Sequence, residues 1–107
     1  MEEKINPDKA ILAGLDAAVF SKEETATEST LEELKALLET AGGTAVGTLL
    51  QSRPAPDPHS FLGEGKVEEL RQAVEATGAN MVIFDNDLSP SQIRTLEDIT
   101  VATVIDR

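Results

Sequence analysis

The sequence predicts one α/β domain, in which a small four-stranded parallel sheet carries helices on both faces. The 107 residues match the usual size of one domain, and 40% of them are hydrophobic but only 3% aromatic. A core of Leu, Val, Ile and Ala is typical of helices packed on a buried sheet. Four apolar segments alternate with three amphipathic ones, so we expect the order β-α-β-α-β-α-β. By analogy with doubly wound folds, we expect the strand order 2-1-3-4.

The four apolar segments have the pattern of strands. The first is a near-continuous apolar run, as expected where both faces of a strand are covered, and the third is the clearest strand of the chain. Proline lacks a backbone donor, so the proline-rich loop that follows the second strand cannot lie inside the sheet. The predicted strands are residues 9–16, 44–51, 80–85 and 101–106.

The first helix is predicted to follow a loop at residues 17–28. Ser29 and Thr30 are its candidate N-caps, because Glu32 and Glu33 stand three residues after them, as in a capping box. Leucines then recur at helical spacing and mark a buried face. Two consecutive glycines at 42–43 end the helix, since glycine adopts the left-handed conformation readily.

The other two helices also have recognisable ends. The second is predicted at residues 65–77, with Gly78 after its last turn. The third has a strong start, with Ser89 as the N-cap, Pro90 at the first helical position and Gln92 closing a capping box.

The charge and cysteine content exclude several classes of protein. The net charge is −11, from 20 acidic and 9 basic residues, so the chain as a whole is repelled by phosphate backbones. Any contact with nucleic acid must use a local basic spot. The absence of cysteine excludes disulfides and cysteine-based zinc sites, and one histidine cannot build a histidine-rich metal site.

The chain divides into a flexible N-terminus at residues 1–8 and one domain at residues 9–107. No apolar run approaches the roughly 20 residues of a membrane span, and the acidic start leads into no signal-like segment. We therefore expect a cytoplasmic protein with no membrane partner. No helix follows the last strand, so we also expect this domain to belong to a longer protein.

The turn Gly63–Lys66 is the first candidate site. Glycines and a lysine at a helix N-terminus can bind an anion, because free backbone amides point there. The segment is not a P-loop, since Ser60 stands where that motif needs glycine and Val67 where it needs serine or threonine. The alternative is a tight turn that only begins the helix.

A carboxylate cluster is the second candidate. Asp16, Asp85 and Asp106 each end a predicted strand, and Asp87 lies just after the third strand. Since parallel strands end at the same edge of a sheet, these groups could hold magnesium or form a phosphoacceptor site at Asp85. Receiver domains have paired acids after their first strand, however, and here alanines follow Asp16. The alternative is that the aspartates cap helices and turns.

A third candidate, Ser60 beside His59, is weaker. A nucleophile and its base need spatial opposition and a third orienting group, which this segment does not supply. We expect instead a short turn capped by Asp57, with Phe61 and Leu62 buried beneath it and His59 exposed.

Four ordered segments of the sequence form a pattern that is far more specific than any single motif. They are Gly47-Thr48-Leu49-x-Gln51, Asp57-Pro58-x-x-Phe61-Leu62-Gly63-x-Gly65-Lys66-Val67-x-Glu69-Leu70, Phe84-Asp85-Asn86-Asp87-Leu88-Ser89-Pro90-x-Gln92-x-Arg94-x-Leu96-Glu97 and Val104-Ile105-Asp106-Arg107. Together they resemble the N-terminal domain of the HflX family of GTPases, and the resemblance covers roughly residues 9–107.

The resemblance implies a modular protein, in which this domain precedes a helical hairpin and a GTP-binding domain. Such proteins associate with the large (50S) ribosomal subunit and help to split or rescue stalled ribosomes. GTP and magnesium are implied for the full-length protein. The P-loop is absent from these residues, so no ligand of either is carried over, and we expect this fragment to be non-catalytic without cofactor or metal.

The least acidic conspicuous features are predicted to form the docking edge. They are Arg53 in the proline-rich loop and Gly63, Gly65 and Lys66 in the turn. We expect this edge to contact ribosomal RNA or the protein's own GTPase domain. The alternative function is a separate nucleotide-binding and hydrolysing site that uses the same Gly63-x-Gly65-Lys66 turn.

Overall fold

The computed structural model describes residues 8–107 and confirms the predicted fold class. The flexible start was predicted for residues 1–8, of which 1–7 lie outside the described range. No helix within residues 8–107 is long and apolar enough to cross a membrane. In chain order the elements are β1 (Lys9–Ala17), α1 (Glu28–Thr40), β2 (Thr44–Arg53), α2 (Glu64–Thr77), β3 (Met81–Phe84), α3 (Pro90–Thr100) and β4 (Thr103–Ile105).

The four strands form one parallel sheet in the order β2-β1-β3-β4, as predicted. β2 lies on one side of β1, whereas β3 and then β4 lie on its other side. Right-handed crossovers therefore place α1 on one face of the sheet and both α2 and α3 on the other.

The two faces bury very different cores. The face under α2 and α3 holds Phe84, Leu70 and Leu96, none of them exposed to solvent. The Phe61 ring packs edge-on against Phe84, with ring centres 5.9 Å apart. The face under α1 has a small cluster with three buried members, which are Ala10, Leu12 and Leu31.

β2 contains one irregularity. Ala10 of β1 pairs with Ala45 of β2, but the next residue, Ile11, pairs with Gly47. Val46 is therefore an extra residue, and β2 carries a β-bulge on a strand that lies at the edge of the sheet.

The predicted cap of α1 was wrong. The N-cap is Thr27, whose hydroxyl accepts a hydrogen bond from the Thr30 amide while the Thr30 hydroxyl accepts one from the Thr27 amide. The prediction required a glutamate at the third helical position. A threonine hydroxyl closes the same box here, so the helix begins earlier than Ser29 or Thr30 indicated.

The other boundaries differ by small amounts. β2 continues beyond the predicted residue 51 because Arg53 still pairs with Ala17 of β1. Val101 was predicted to begin the last strand, yet it is the left-handed C-cap of α3, with φ of 60°. Its β-branched side chain favoured a strand, but the helix end determined its conformation. The start of α3 is confirmed, with Ser89, Pro90 and Gln92 in their predicted roles.

Candidate functional site

The carboxyl edge of the sheet carries the polar groups that the sequence singled out, as expected for an open parallel sheet. They fall into two groups. One surrounds Arg53 at the end of β2 and Gly63 at the start of α2. The other surrounds Asp85, Asn86 and Arg107, where β3 and β4 end.

Gly63 brings the backbone at the start of α2 close to two side chains of β2. Its amide donates a 2.8 Å hydrogen bond to Gln51 Oε1 of β2. A Cβ at this position would collide with Arg53 Nη1 and lie 3.0 Å from Gln51 Nε2. A side chain at position 63 would therefore displace the Arg53 guanidinium from its place beside the first residues of the helix.

Arg53 therefore lies beside the positive end of a helix dipole. Its Nε donates to the Ala55 carbonyl at 3.1 Å, and it forms no salt bridge with any of residues 8–107. Gly63 provides no side-chain cap for α2, so amides of the first turn have no partner within the helix. A guanidinium next to such amides is chemically suited to a phosphate or carboxylate.

Gly65 and Lys66 contribute less clearly to the candidate anion site than Arg53 and Gly63 do. Both lie in the first turn of α2, and a Cβ on Gly65 would meet nothing within 4 Å. Lys66 Nζ lies 3.3 Å from Glu69 Oε1, so its charge is shared with a carboxylate one turn along. The structure thus brings Arg53 and Gly63 together, with Lys66 next to them in an intrahelical ion pair.

The segment at Asp57 forms the predicted turn. Asp57 Oδ1 accepts hydrogen bonds from the amides of His59 and Ser60, at 2.8 and 3.1 Å. These bonds, the one from His59 first, hold the pKa of Asp57 below its usual value. Phe61 and Leu62 are buried and His59 is exposed, as expected.

The structure favours neither a Ser60 nucleophile nor a magnesium site. The Ser60 hydroxyl donates to the Leu62 carbonyl at 2.9 Å, which engages it in the turn. Across residues 8–107, no three side chains of His, Cys, Asp or Glu lie close enough to hold a metal ion. The magnesium hypothesis therefore has no donor set in this part of the chain.

Each of the three strand-end aspartates instead has its own structural partner. Asp16 accepts from the Thr25 hydroxyl at 2.9 Å, and Asp106 accepts from the Leu88 amide at 2.7 Å. Asp85 is only 8% exposed, and its Oδ1 pairs with Arg107. A phosphoacceptor needs an accessible carboxylate, so this burial argues against that role for Asp85.

Asn86 is a residue of the edge whose role the sequence did not reveal. It is 1% exposed, and its Oδ1 accepts from the Leu15 amide at 2.8 Å. Its Nδ2 donates to the carbonyls of Leu15 and Glu24, at 3.0 and 2.9 Å. Asn86 thereby fastens the end of β1 and the loop that leads from β1 to α1.

Arg107 reinforces the same loop. Its guanidinium bonds to Asp85 Oδ1 at 3.1 Å and to the carbonyls of Glu23 and Thr25, and its amide donates to the Asn86 carbonyl at 3.2 Å. The only sequence signal for this network is polar residues directly after two buried strands. Its bonds join residues far apart in the chain, so local patterns do not reveal them.

Comparison with known proteins defines the class to which this fold and edge belong. Residues 28–107 match the family model described as "GTP-binding GTPase N-terminal". The match covers most of the chain, so the chain contains the N-terminal domain of a GTP-binding protein.

The relatives give the particular family. The chain is 48% identical over 77 residues to GTPase HflX of Escherichia coli, which covers 72% of the chain and 18% of the relative. It is 36% identical over 106 residues to GTPase HflX of Flavobacterium psychrophilum, and this match covers 99% of the chain and 25% of the relative. GTPase HflX of Caldanaerobacter subterraneus is 38% identical over 100 residues, and this match covers 94% of the chain and 22% of the relative. The chain belongs to the HflX family and spans about a fifth to a quarter of these relatives.

Proposed function

We propose that this domain is the docking and regulatory domain of a cytoplasmic GTP-binding protein that associates with the large ribosomal subunit and helps to split or rescue stalled ribosomes. In this proposal GTP hydrolysis, with magnesium, takes place in a separate domain of the intact protein. The domain described here is non-catalytic and contributes a docking edge. Membership of the HflX family supports this assignment.

The observation that supports the location of the edge is the placement of Arg53 over Gly63. A chain with a net charge of −11 can approach RNA only through a restricted surface, because the rest of it repels phosphates. Arg53 combines a guanidinium that forms no salt bridge with residues 8–107, although after two backbone hydrogen bonds its charge helps to lower the pKa of Asp57, with the unpaired amides at the start of α2. This is the combination of groups that binds phosphate in many proteins.

The proposal is tested by measuring how tightly the intact protein binds purified large subunits. Arg53→Ala is expected to weaken binding about tenfold, the usual effect of losing one charged hydrogen-bonding group. Lys35→Ala is the matched control, because it removes the same charge from α1 on the opposite face of the sheet. Arg53→Lys keeps the charge but not the planar fork, and we expect an intermediate affinity.

Salt dependence sharpens this test. If Arg53 contacts phosphate, the affinity of the Arg53→Ala variant falls less steeply with salt than that of the unaltered protein. Deletion of residues 1–107 from the intact protein is expected to weaken binding more than any single substitution. Unchanged subunit binding and unchanged GTP turnover after that deletion would contradict the proposal.

The alternative, a second nucleotide site at the Gly63–Lys66 turn, predicts a different stoichiometry. The Gly63 amide is already bonded to Gln51 and Lys66 is paired with Glu69, which leaves this turn less able to hold a triphosphate. Calorimetry of the intact protein distinguishes the two functions. One GTP per chain, unchanged by deletion of residues 1–107, fits the docking proposal, whereas loss of a second bound nucleotide on deletion supports the alternative.

A further inference from the structure

β2 forms one edge of the sheet, because β1 is its only neighbour in the strand order β2-β1-β3-β4. The backbone groups on its outer side therefore have no partner strand among residues 8–107. The regular part of this edge is bounded at both ends. The bulge at Val46 interrupts the spacing before Gly47, and Pro54 lacks a backbone donor just after Arg53. Residues 47–53 thus offer one short, regular stretch for pairing.

The outward-facing backbone groups belong to alternate residues of this stretch. The Arg53 carbonyl accepts from the amide of Ala18, which follows β1, so the backbone groups of Arg53 face β1. Since these groups alternate in direction along a strand, those of Thr48, Leu50 and Ser52 face outward. Leu50 packs against the small cluster under α1, so the side chains of all three lie on the α1 face. A segment that pairs with this edge therefore places every second side chain beside α1.

A groove lies between α1 and the outer part of β2. Its volume is about 410 Å³, and it is lined by Glu28, Leu31 and Glu32 of α1 and by Thr48 and Leu50 of β2. Leu31 is 4% exposed and Leu50 is half-buried, whereas both glutamates are exposed. Neither glutamate forms a salt bridge with residues 8–107. The groove therefore joins apolar surface and two carboxylates to an open strand edge.

The spacing of the two carboxylates matches that of side chains on a strand. Glu28 and Glu32 lie about one helical turn apart, which is about 6 Å along the axis of α1. α1 connects two parallel strands, so it runs back along them. Side chains on one face of a strand recur about every 6.6 Å, since each residue rises about 3.3 Å. Two basic side chains at alternate positions of an added strand therefore reach both carboxylates, with their methylene stems on Leu31 and Leu50.

We infer that this edge binds an extended, basic segment of a partner protein, which adds to the sheet as a further strand beside β2. The main chain of the segment bonds to the outward backbone groups at Thr48, Leu50 and Ser52. Two lysine or arginine side chains, at alternate positions of the segment, pair with Glu28 and Glu32. Strand addition of this kind gains affinity through the main chain and specificity through every second side chain.

Charge identifies the partner as a basic polypeptide. Nucleic acid is repelled by the two carboxylates, which belong to a chain with a net charge of −11. A second copy carries the same negative charge, and edge-to-edge pairing about a twofold axis would bring the two acidic α1 helices together. The Arg53 guanidinium lies on the other face of the sheet, over Gly63, so this contact and the proposed docking edge can fail independently.

Fluorescence anisotropy with the intact protein tests the inference, with a labelled peptide that alternates lysine and valine over about seven residues. We expect saturable binding. The matched control is a peptide that alternates glutamate and valine, and it is expected to bind at least about tenfold more weakly. Hydrogen exchange locates the contact. The lysine peptide is expected to slow exchange of residues 47–53 about tenfold or more and to leave β4, at the opposite edge of the sheet, unchanged.

The charged part of the contact is tested by replacing both glutamates. Glu28→Gln combined with Glu32→Gln is expected to weaken binding of the lysine peptide about tenfold, because two ion pairs of modest strength are lost. Glu33→Gln combined with Asp98→Asn is the matched control and removes the same charge. Glu33 lies on the side of α1 that faces Arg107, and Asp98 is exposed on α3. This control is expected to change the affinity by less than about twofold.

Main-chain pairing is tested with two isomeric peptides, which carry N-methyl groups either on every lysine or on every valine. An extended chain directs alternate amides to opposite edges, so one isomer blocks the edge that faces β2 and the other leaves it free. We expect one isomer to lose at least about tenfold in affinity and the other to bind like the unmodified peptide. Electrostatic attraction alone does not distinguish the two, because their charges are identical.

Three results would overturn the inference. The first is unchanged affinity for the lysine peptide when Glu28 and Glu32 are both replaced. The second is equal affinity of the two N-methylated isomers, which would show that the main chain of the peptide does not pair with β2. The third is slow exchange of residues 47–53 before any peptide is added. A dimer in ultracentrifugation would then assign the edge to a second copy, and a monomer would assign it to another part of the intact protein.

Discussion

The two faces of the sheet are stabilised by different kinds of interaction. The face under α2 and α3 is held by apolar burial, with a continuous cluster that runs from Phe61 and Leu62 to Val104. The face under α1 buries few side chains completely, and α1 itself contributes only Leu31 to them. The loop that leads into α1 is instead held by directional hydrogen bonds from Asn86 and Arg107.

The two kinds of contact contribute differently to stability and to geometry. Apolar burial scales with the area removed from water and gives most of the free energy of folding. Hydrogen bonds at the carboxyl edge add less net free energy, but they fix positions. The face with one helix therefore leaves Leu37 of α1 and Ile105 of β4 partly exposed.

The largest difference in the free energy of unfolding is expected when a leucine is replaced by alanine on each face of the sheet. Leu70→Ala on α2 removes a fully buried side chain and is expected to lower the free energy of unfolding by about 2–5 kcal/mol. Leu37→Ala on α1 removes an exposed one and is expected to change it by less than about 0.5 kcal/mol in the isolated domain. Urea unfolding followed by circular dichroism measures both values, and equal losses would refute the asymmetry.

A smaller effect is expected at the hydrogen-bonded loop. Asn86→Ala leaves the buried Leu15 amide without its partner, whereas the Leu15 carbonyl still accepts from the Ala26 amide, and the variant is expected to cost about 1–3 kcal/mol. Asn80→Ala is its control, because Asn80 Oδ1 also accepts a β1 amide, that of Lys9, but at the exposed opposite edge. Water replaces that bond, so a loss well below that of Asn86→Ala is expected in the same unfolding measurement.

The smallest effect concerns the two capping boxes. Thr27→Ala at α1 and Ser89→Ala at α3 are each expected to cost about 1 kcal/mol. Their local consequences should differ, because α1 has one buried residue, Leu31, whereas α3 has two, Leu96 and Thr100. Hydrogen exchange should accelerate more along α1 than along α3, and the reverse order would show that α1 is not the weaker helix.

The features predicted correctly from sequence are those that local chemistry determines. Alternating apolar and amphipathic segments gave the element order, and the analogy with doubly wound folds gave the sheet order. Ser89, Pro90 and Gln92 marked α3 because each acts within one helical turn. The same local reasoning was wrong at Thr27 and Val101, where a hydroxyl replaced the expected glutamate and a helix end overrode β propensity.

The candidate site was less predictable because its contacts join distant parts of the chain. Asn86 bonds to Leu15, which lies 71 residues earlier, and Arg107 bonds to the carbonyl of Glu23, 84 residues earlier. No periodicity or cap signals such a bond. Gly63 was singled out as part of an anion-binding turn, but its steric role became clear only when the structure placed Arg53 over it.

The bulge at Val46 has a consequence for how copies of this domain behave at high concentration. β2 is a ten-residue edge strand, long enough to template pairing with a strand of another molecule. The extra residue interrupts the regular spacing of its outward amides and carbonyls close to the start of the strand. A neighbouring strand that aligns with one side of the bulge is out of register with the other side. The bulge at Val46 thus makes regular pairing along the full length of this edge strand less favourable.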